Sequence, residues 1–247
     1  MHRYQILIEY EGTNFIGWQI QKRGNSVQGL IQNKLSKILK EKITIIGSGR
    51  TDSGVHAIEQ SAHFDCKKKI NNIRIFLNSA NYFLNKKLVS ILSIKIRKET
   101  FHARHSAKMR SYIYVIYNRD SPLSLNKNRG WYIRKKLDIN LIKKGAGSLV
   151  GTHDFSSFRS ANCNAKSPIR TIKSISIVKY KKKIHIKFKS KSFLRQQVRS
   201  MVGCLKYLAE GKWNLKYFKK VLNLKKRTLC APPAPACGLF LKKVTYY

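Results

Sequence analysis

Acidic residues are scarce in this chain of 247 residues: 11 Asp and Glu stand against 51 Lys and Arg, a formal net charge of +40. A surplus of that size implies a polyanionic partner, either nucleic acid or an anionic membrane surface. Long apolar runs are missing too. None approaches the roughly 18 residues needed to cross a bilayer, and the opening MHRYQILIEY has no signal-peptide layout. Nucleic acid is therefore the expected partner and the cytoplasm the expected location, with no membrane involved. The same composition is rich in Ile, Asn and Lys, as AT-rich coding produces, so charge alone does not separate a binding footprint from a solvated surface. No pair among Cys66, Cys163, Cys204, Cys230 and Cys237 is spaced C-x-x-C, and their number is odd. Neither a disulfide framework nor a zinc site is indicated, which leaves free thiols in a reducing compartment. The histidines are scattered, and no metal is expected.

Hydrophobic periodicity divides the chain into two similar halves. Residues 3–10 alternate apolar and polar, as a half-buried strand does. Ser26 is placed to cap a helix running to about residue 40, with Val27, Leu30, Ile31, Leu35, Ile38 and Leu39 on one face. A short strand at 43–46, a glycine-rich loop, a strand near 58–65, a helix over 70–84 and a strand over 88–97 complete a β-α-β-β-α-β order. The second half repeats that order without evident sequence identity. Strands are expected at 110–117, 169–180 and 184–189, with Lys181, Lys182 and Lys183 in the turn between the last two. Helices are expected over 138–149, over 193–209 and after Asn214, and GLFLKKVTYY makes the last strand. The expected fold class is α+β: two tandem ferredoxin-like units, resembling RNA-recognition modules, with antiparallel sheets and a basic cleft between them. The corresponding domains are 1–105, which carries the glycine loop, and 106–247.

That loop is the most informative stretch. Gly47-Ser48-Gly49-Arg50-Thr51-Asp52-Ser53-Gly54-Val55-His56-Ala57 sets one carboxylate, Asp52, among glycines, small hydroxyls and an arginine. Read on spacing alone, a string of this kind is most often an Asx-type turn with a solvated carboxylate. The alternative is a carboxylate presented to a cleft, held ionised by a cation such as Arg50 and free to attack an electrophile.

The whole string changes the balance. GRTDSGVHA resembles the signature of the A-type tRNA pseudouridine synthases, and further ordered segments match along nearly the entire chain. These are IEYEGTNFIGWQIQ, NSVQGL, FHARHSAKMRSYIY, GTHDFSSFR, FLRQQVRSMVG and APPAPACGLFL. The resemblance implies an isomerase that detaches uracil from the ribose C1′, turns it and rejoins it through C5. Its substrates would be uridines of the anticodon stem-loop of tRNA, and it would need no cofactor. Asp52 falls on the family's catalytic aspartate, whether it attacks C6 of the ring, attacks C1′ of the sugar or assists departure of the base through a glycal. An ionised Asp52 calls for a neighbouring cation, and Arg199 falls on the arginine that supplies it. Arg50 falls on the arginine that contacts the target nucleotide and fills the space left by the flipped base. Tyr112 falls on the tyrosine that stacks on the uracil; as one of Tyr112, Tyr114 and Ile116 on a single strand face it would otherwise read as core. Gly238, Leu239 and Leu241 fall on the lining of the uracil pocket. The resemblance further implies a homodimer across which one tRNA spans both subunits. Gln196 and Gln197 depart from the His-Met that many relatives carry before the Val-Arg of the late helix.

Two other readings are weaker. A non-catalytic RNA-binding protein of the same fold would carry an RNP-type aromatic string, which is absent. A hydrolase built on His153, Asp154, Ser156 and Ser157 would need a G-x-S-x-G elbow, also absent. Lys/Arg clusters at 67–69, 134–136, 181–183 and 225–227 are placed to follow an RNA backbone, although each alone reads as a solvated turn.

Overall fold

The computed structural model describes all 247 residues and is a mixed α+β protein of ten strands, mostly antiparallel, and five α-helices. Two compact units divide the chain. The first comprises Met1–Lys108 together with Phe240–Tyr247, and the second Met109–Leu239. No helix is long and apolar enough to cross a membrane.

In the first unit β1 (His2–Tyr10) buries Tyr4, Ile6, Ile8 and Tyr10 on one face, the alternation visible in the sequence. Two helices cover that face. α1 (Val27–Leu39) starts where Ser26 accepts the Gly29 N–H, and it buries Val27, Ile31 and Leu35. α2 (Ile73–Leu84) starts where Asn72 accepts the Ile75 N–H, and it buries Phe76, Ala80 and Leu84. Each fully buried aliphatic or aromatic side chain contributes about 1.5–3 kcal/mol, so this face holds the unit together. The strand expected at 43–46 is nearly absent. Ile43 and Ile45 are buried outside the ladder, and only β2 (Ile46–Gly47) pairs, against His63 and Ala62 of β3 (His56–Cys66). β4 (Val89–Arg97) and β3 flank β1 as antiparallel neighbours. The last strand, β10 (Leu239–Thr245), returns to this unit, where Phe240 and Leu241 pair in parallel with His56 and Ala57.

The second unit sets β5 (Met109–Asn118), β9 (Lys183–Ser190), β8 (Ile169–Tyr180) and β7 (Gly151–Asp154) side by side in that order. β6 (Trp131–Ile133) pairs in parallel with β5. Neither β6 nor β7 is evident in the sequence, because three or four residues carry no readable period. α3 (Ile139–Gly147) is capped by Asp138, and α5 (Leu215–Asn223) by Asn214, as their sequences indicate. α4 (Gln197–Ala209) begins four residues later than expected, because Gln196 takes a left-handed conformation, φ 61°, that ends the helix there. Its inner face, Met201, Val202, Leu205 and Leu208, is fully or almost fully buried.

Candidate active site

The glycine-rich loop joins β2 to β3 and rests on residues 10–18. Ser48 donates its N–H to the Ser61 carbonyl at 2.8 Å and its hydroxyl to Gln60 Oε1 at 2.7 Å; the Gln60 amide in turn donates to the Gly49 carbonyl at 2.9 Å. Thr51 is gripped twice, with its carbonyl accepting the Trp18 N–H at 3.1 Å and its hydroxyl 2.8 Å from the Tyr10 phenol oxygen. Beyond Asp52, the Asp52 carbonyl accepts the Val55 N–H, and Ser53 and Gly54 both donate to the Phe15 carbonyl. Close approach demands glycine beneath the loop. A Cβ at Gly12 would stand 2.0 Å from the Val55 carbonyl oxygen, and one at Gly17 (φ +111°) 2.6 Å from that of Thr51. Thr51 is therefore buried, Asp52 half-buried and Arg50 exposed. His56 closes the loop: its Nδ1 accepts the Gly12 N–H at 3.1 Å, and its ring stacks on Phe240 at 4.6 Å. Leu241, buried beside Ala57, follows directly. Asp52, Arg50 and Leu241 thus share the first unit.

Tyr112, Arg199, Gly238 and Leu239 lie in the second unit. Tyr112 is buried on β5, its ring edge-on to Phe193 at 5.2 Å. Arg199 is half-buried in the first turn of α4. It is tied to the segment after α5 on both sides: Ala234 donates its N–H to the Arg199 carbonyl at 2.9 Å, and Arg199 Nε donates to the Ala234 carbonyl at 2.7 Å. Further along, Tyr114 donates its phenol to the Pro235 carbonyl at 2.8 Å. A Cβ at Gly238 would stand 2.6 Å from the Tyr114 ring, so only glycine lets the chain lie flat on it before Leu239. Burial pushes the Tyr114 phenol well above its usual pKa, which keeps it a neutral donor. Tyr10, Trp18, His56 and Tyr114 escaped the motif reading as supports of these segments. The fixed glycines of IEYEGTNFIGWQ were the signal for the first two.

His153 and the serines after it are committed elsewhere. The His153 Nε2 lies 3.0 Å from the Val150 carbonyl, and Ser157 donates to the Val221 carbonyl at 2.6 Å, so no hydrolase triad forms. Gln197 is fully buried and its Oε1 accepts the Leu194 N–H at 2.8 Å, so one of the two departing glutamines fastens the turn that opens α4. No three His, Cys, Asp or Glu side chains gather into a metal-binding set. The basic clusters at 67–69, 134–136, 181–183 and 225–227 are exposed, apart from half-buried Lys183 and Arg227.

A family model described as tRNA pseudouridine synthase matches residues 6–106 and 146–247. The chain is 65% identical over 246 residues to the tRNA pseudouridine synthase A of Pelagibacter ubique, covering 100% of both chains. It is 45% identical over 244 residues to the one from Neorickettsia sennetsu, covering 99% of this chain and 100% of that one. With the one from Paramagnetospirillum magneticum it shares 42% identity over 248 residues, 100% and 96% of the two chains.

Proposed function

The chain belongs to the tRNA pseudouridine synthase family, and from that premise we propose that it isomerises uridine to pseudouridine in the anticodon stem-loop of tRNA, with Asp52 as the catalytic carboxylate. The observation that carries the reading is the intact GRTDSGVHA loop, pinned on both sides of Asp52 while the carboxylate itself stays half-buried. In the reaction the bond from N1 to C1′ breaks and one from C5 to C1′ forms. The C5 hydrogen leaves as a proton and N1 gains one, so atoms and electrons balance without an oxidant or a group donor.

The remaining roles follow the family pattern. Arg199 falls on the arginine that, in the family pattern, keeps the catalytic aspartate ionised, since an opposite charge favours the charged form. Arg50 contacts the target nucleotide. Tyr112 stacks on the uracil, which Gly238, Leu239 and Leu241 enclose. A target inside the stem leaves its stack at a cost of a few kcal/mol. Phosphate contacts from the cationic surface offset that cost without reading sequence. We read both units as ferredoxin-like. In the first, support comes from the β-α-β-β-α-β order and from β1 lying between β3 and β4. The reading includes action as a homodimer in the cytoplasm, for which light scattering of the purified protein is the direct measurement of assembly.

Tritium release from tRNA labelled at uridine C5 tests the proposal, because joining C5 to C1′ expels that hydrogen. Release by the wild type that disappears in Asp52→Ala, with tRNA binding retained, is the expected result. Tight binding without release by the wild type would overturn it and leave a non-catalytic RNA-binding protein.

A further inference from the structure

None of the five cysteines is in a disulfide, yet two of them touch. Cys204 lies on the buried face of α4 and Cys230 at the start of the segment that follows α5. Their sulfurs are 3.3 Å apart. A shift of about 1 Å would bring them to the roughly 2 Å of a disulfide bond. The two thiols also differ in surroundings as an attacking and a resolving thiol do. Cys230 is partly exposed, whereas Cys204 is buried. The contact with Cys204 lowers the pKa of the Cys230 thiol despite burial, helped by Arg227 and by the nearby buried Ser200 hydroxyl. The same contact, with burial, pushes the Cys204 thiol up. Thiolate character thus gathers on the less buried of the two cysteines, which favours attack on a disulfide.

We propose that Cys204 and Cys230 are a covalent modification site: a dithiol that a low-molecular-weight disulfide converts to an intramolecular disulfide. The Cys230 thiolate attacks one sulfur of the reagent, forming a mixed disulfide and expelling a thiolate. Cys204 gives up its proton and attacks the Cys230 sulfur, expelling the second thiolate. Two protein thiols lose two protons and two electrons, and the reagent becomes two thiols. The bond fastens the segment that already leans on α4 through Ala234 against Arg199 and through Gly203, where a Cβ would lie 2.1 Å from the Pro232 carbonyl oxygen. Its consequence is a covalent tether on the segment that leads to Gly238.

The test treats the folded full-length protein with oxidised glutathione, then denatures it, alkylates the remaining thiols and maps the peptides without reduction. Before alkylation the expected product is about 2 Da lighter than the untreated protein, and the map then shows a cross-linked peptide pair containing Cys204 and Cys230. The product's thermal midpoint is higher by roughly 5 °C, because the bond closes a loop in the unfolded chain, and dithiothreitol reverses both changes. In Cys204→Ser, glutathione remains on Cys230 as a stable adduct. A wild-type map in which Cys204 stays fully alkylated, or in which the cross-link joins Cys163 or Cys237 instead, would overturn the proposal. That map needs no variant to fold.

Discussion

The loop 47–57 of the first unit and the segment 230–239 of the second both rest on close-fitting glycines, but side-chain hydroxyls and amides add more bonds to the loop, whereas the segment is held chiefly through its own backbone groups. Tyr10, Ser48, Ser53 and Gln60 each contribute one bond to the loop. The segment 230–239 has the paired Arg199–Ala234 contacts, the Tyr114 bond to Pro235, and Gly203 and Gly238 lying flush against their neighbours. A net intramolecular hydrogen bond is worth about 0.5–1.5 kcal/mol, so the loop loosens by increments. A steric floor either fits or does not, so crowding one of these glycines should act abruptly.

The largest effect tests the abrupt side. In Gly203→Ala, alanine is the better helix former by about 1 kcal/mol, and an isolated helix would gain. Here the added Cβ meets the Pro232 carbonyl oxygen at 2.1 Å, which is backbone and has nowhere to turn. We expect the collision to win, with a net loss of about 1–3 kcal/mol seen as a lower urea midpoint. A midpoint that rises instead would show that the segment is free to move, and the contrast with the loop would fall.

A matched pair of smaller changes sharpens the same contrast. Tyr114→Phe leaves the Pro235 carbonyl with only the long bond from the Gly238 N–H at 3.4 Å, at a cost of about 1–3 kcal/mol. Tyr10→Phe removes one bond to a Thr51 hydroxyl that is able to rotate toward another partner, at a cost of about 1 kcal/mol. The catalytic consequences should run the other way. Thr51 precedes Asp52, so Tyr10→Phe should lower kcat for tritium release with little change in KM, whereas Tyr114→Phe should raise KM through the proposed uracil pocket. Equal kcat losses in both variants would mean that the two segments are not separately held.

How much of this was legible depended on distance along the chain. The buried face of β1, the caps Ser26, Asp138 and Asn214, and the glycine loop were all readable, because each is set by neighbours within a few residues. Tyr114 read only as packing. Its bond to Pro235 spans 121 positions, and nothing local announces it. The Tyr10–Thr51 contact, 41 positions apart, and the Cys204–Cys230 contact, 26 apart, were hidden for the same reason. The two-residue β2 was overestimated because ITII is apolar enough to pass for a strand, although Ile43 and Ile45 go into the core instead. Among the proposed site residues, Asp52 drew notice as the one carboxylate of its loop, but spacing alone favoured a solvated turn, and Asp52, Arg199 and Tyr112 all took their proposed roles from resemblance.

Acid offers the gentlest probe, because it acts within the first unit and spares the Tyr114 anchor of the other. His63, on β3 beyond the loop, accepts the Ala103 N–H at 3.1 Å and sits edge-on to Phe101 and His102. Burial first, then the charge of Arg3 and the nearness of His102, lower its pKa from 6.5 to about 4, while Asp65 opposes them weakly. The folded protein therefore holds this ring neutral where the unfolded chain protonates it. Between pH 6.5 and about 4 the unfolded state binds more protons, so stability falls as pH falls through that window and is fully present above it. Tyr114, with its phenol pushed upward, exchanges no proton there. Hydrogen exchange mapped by peptide should accordingly show β3 and residues 101–106 opening first on acidification, ahead of the segment 230–239. In His63→Gln that early opening should lose most of its pH dependence, His102, which burial also holds below its ordinary value, keeping the remainder, while the rest of the profile stays put. If both segments open together in the wild type, the two units are unfolding as one, and the separation drawn from their anchors would apply to geometry without extending to stability.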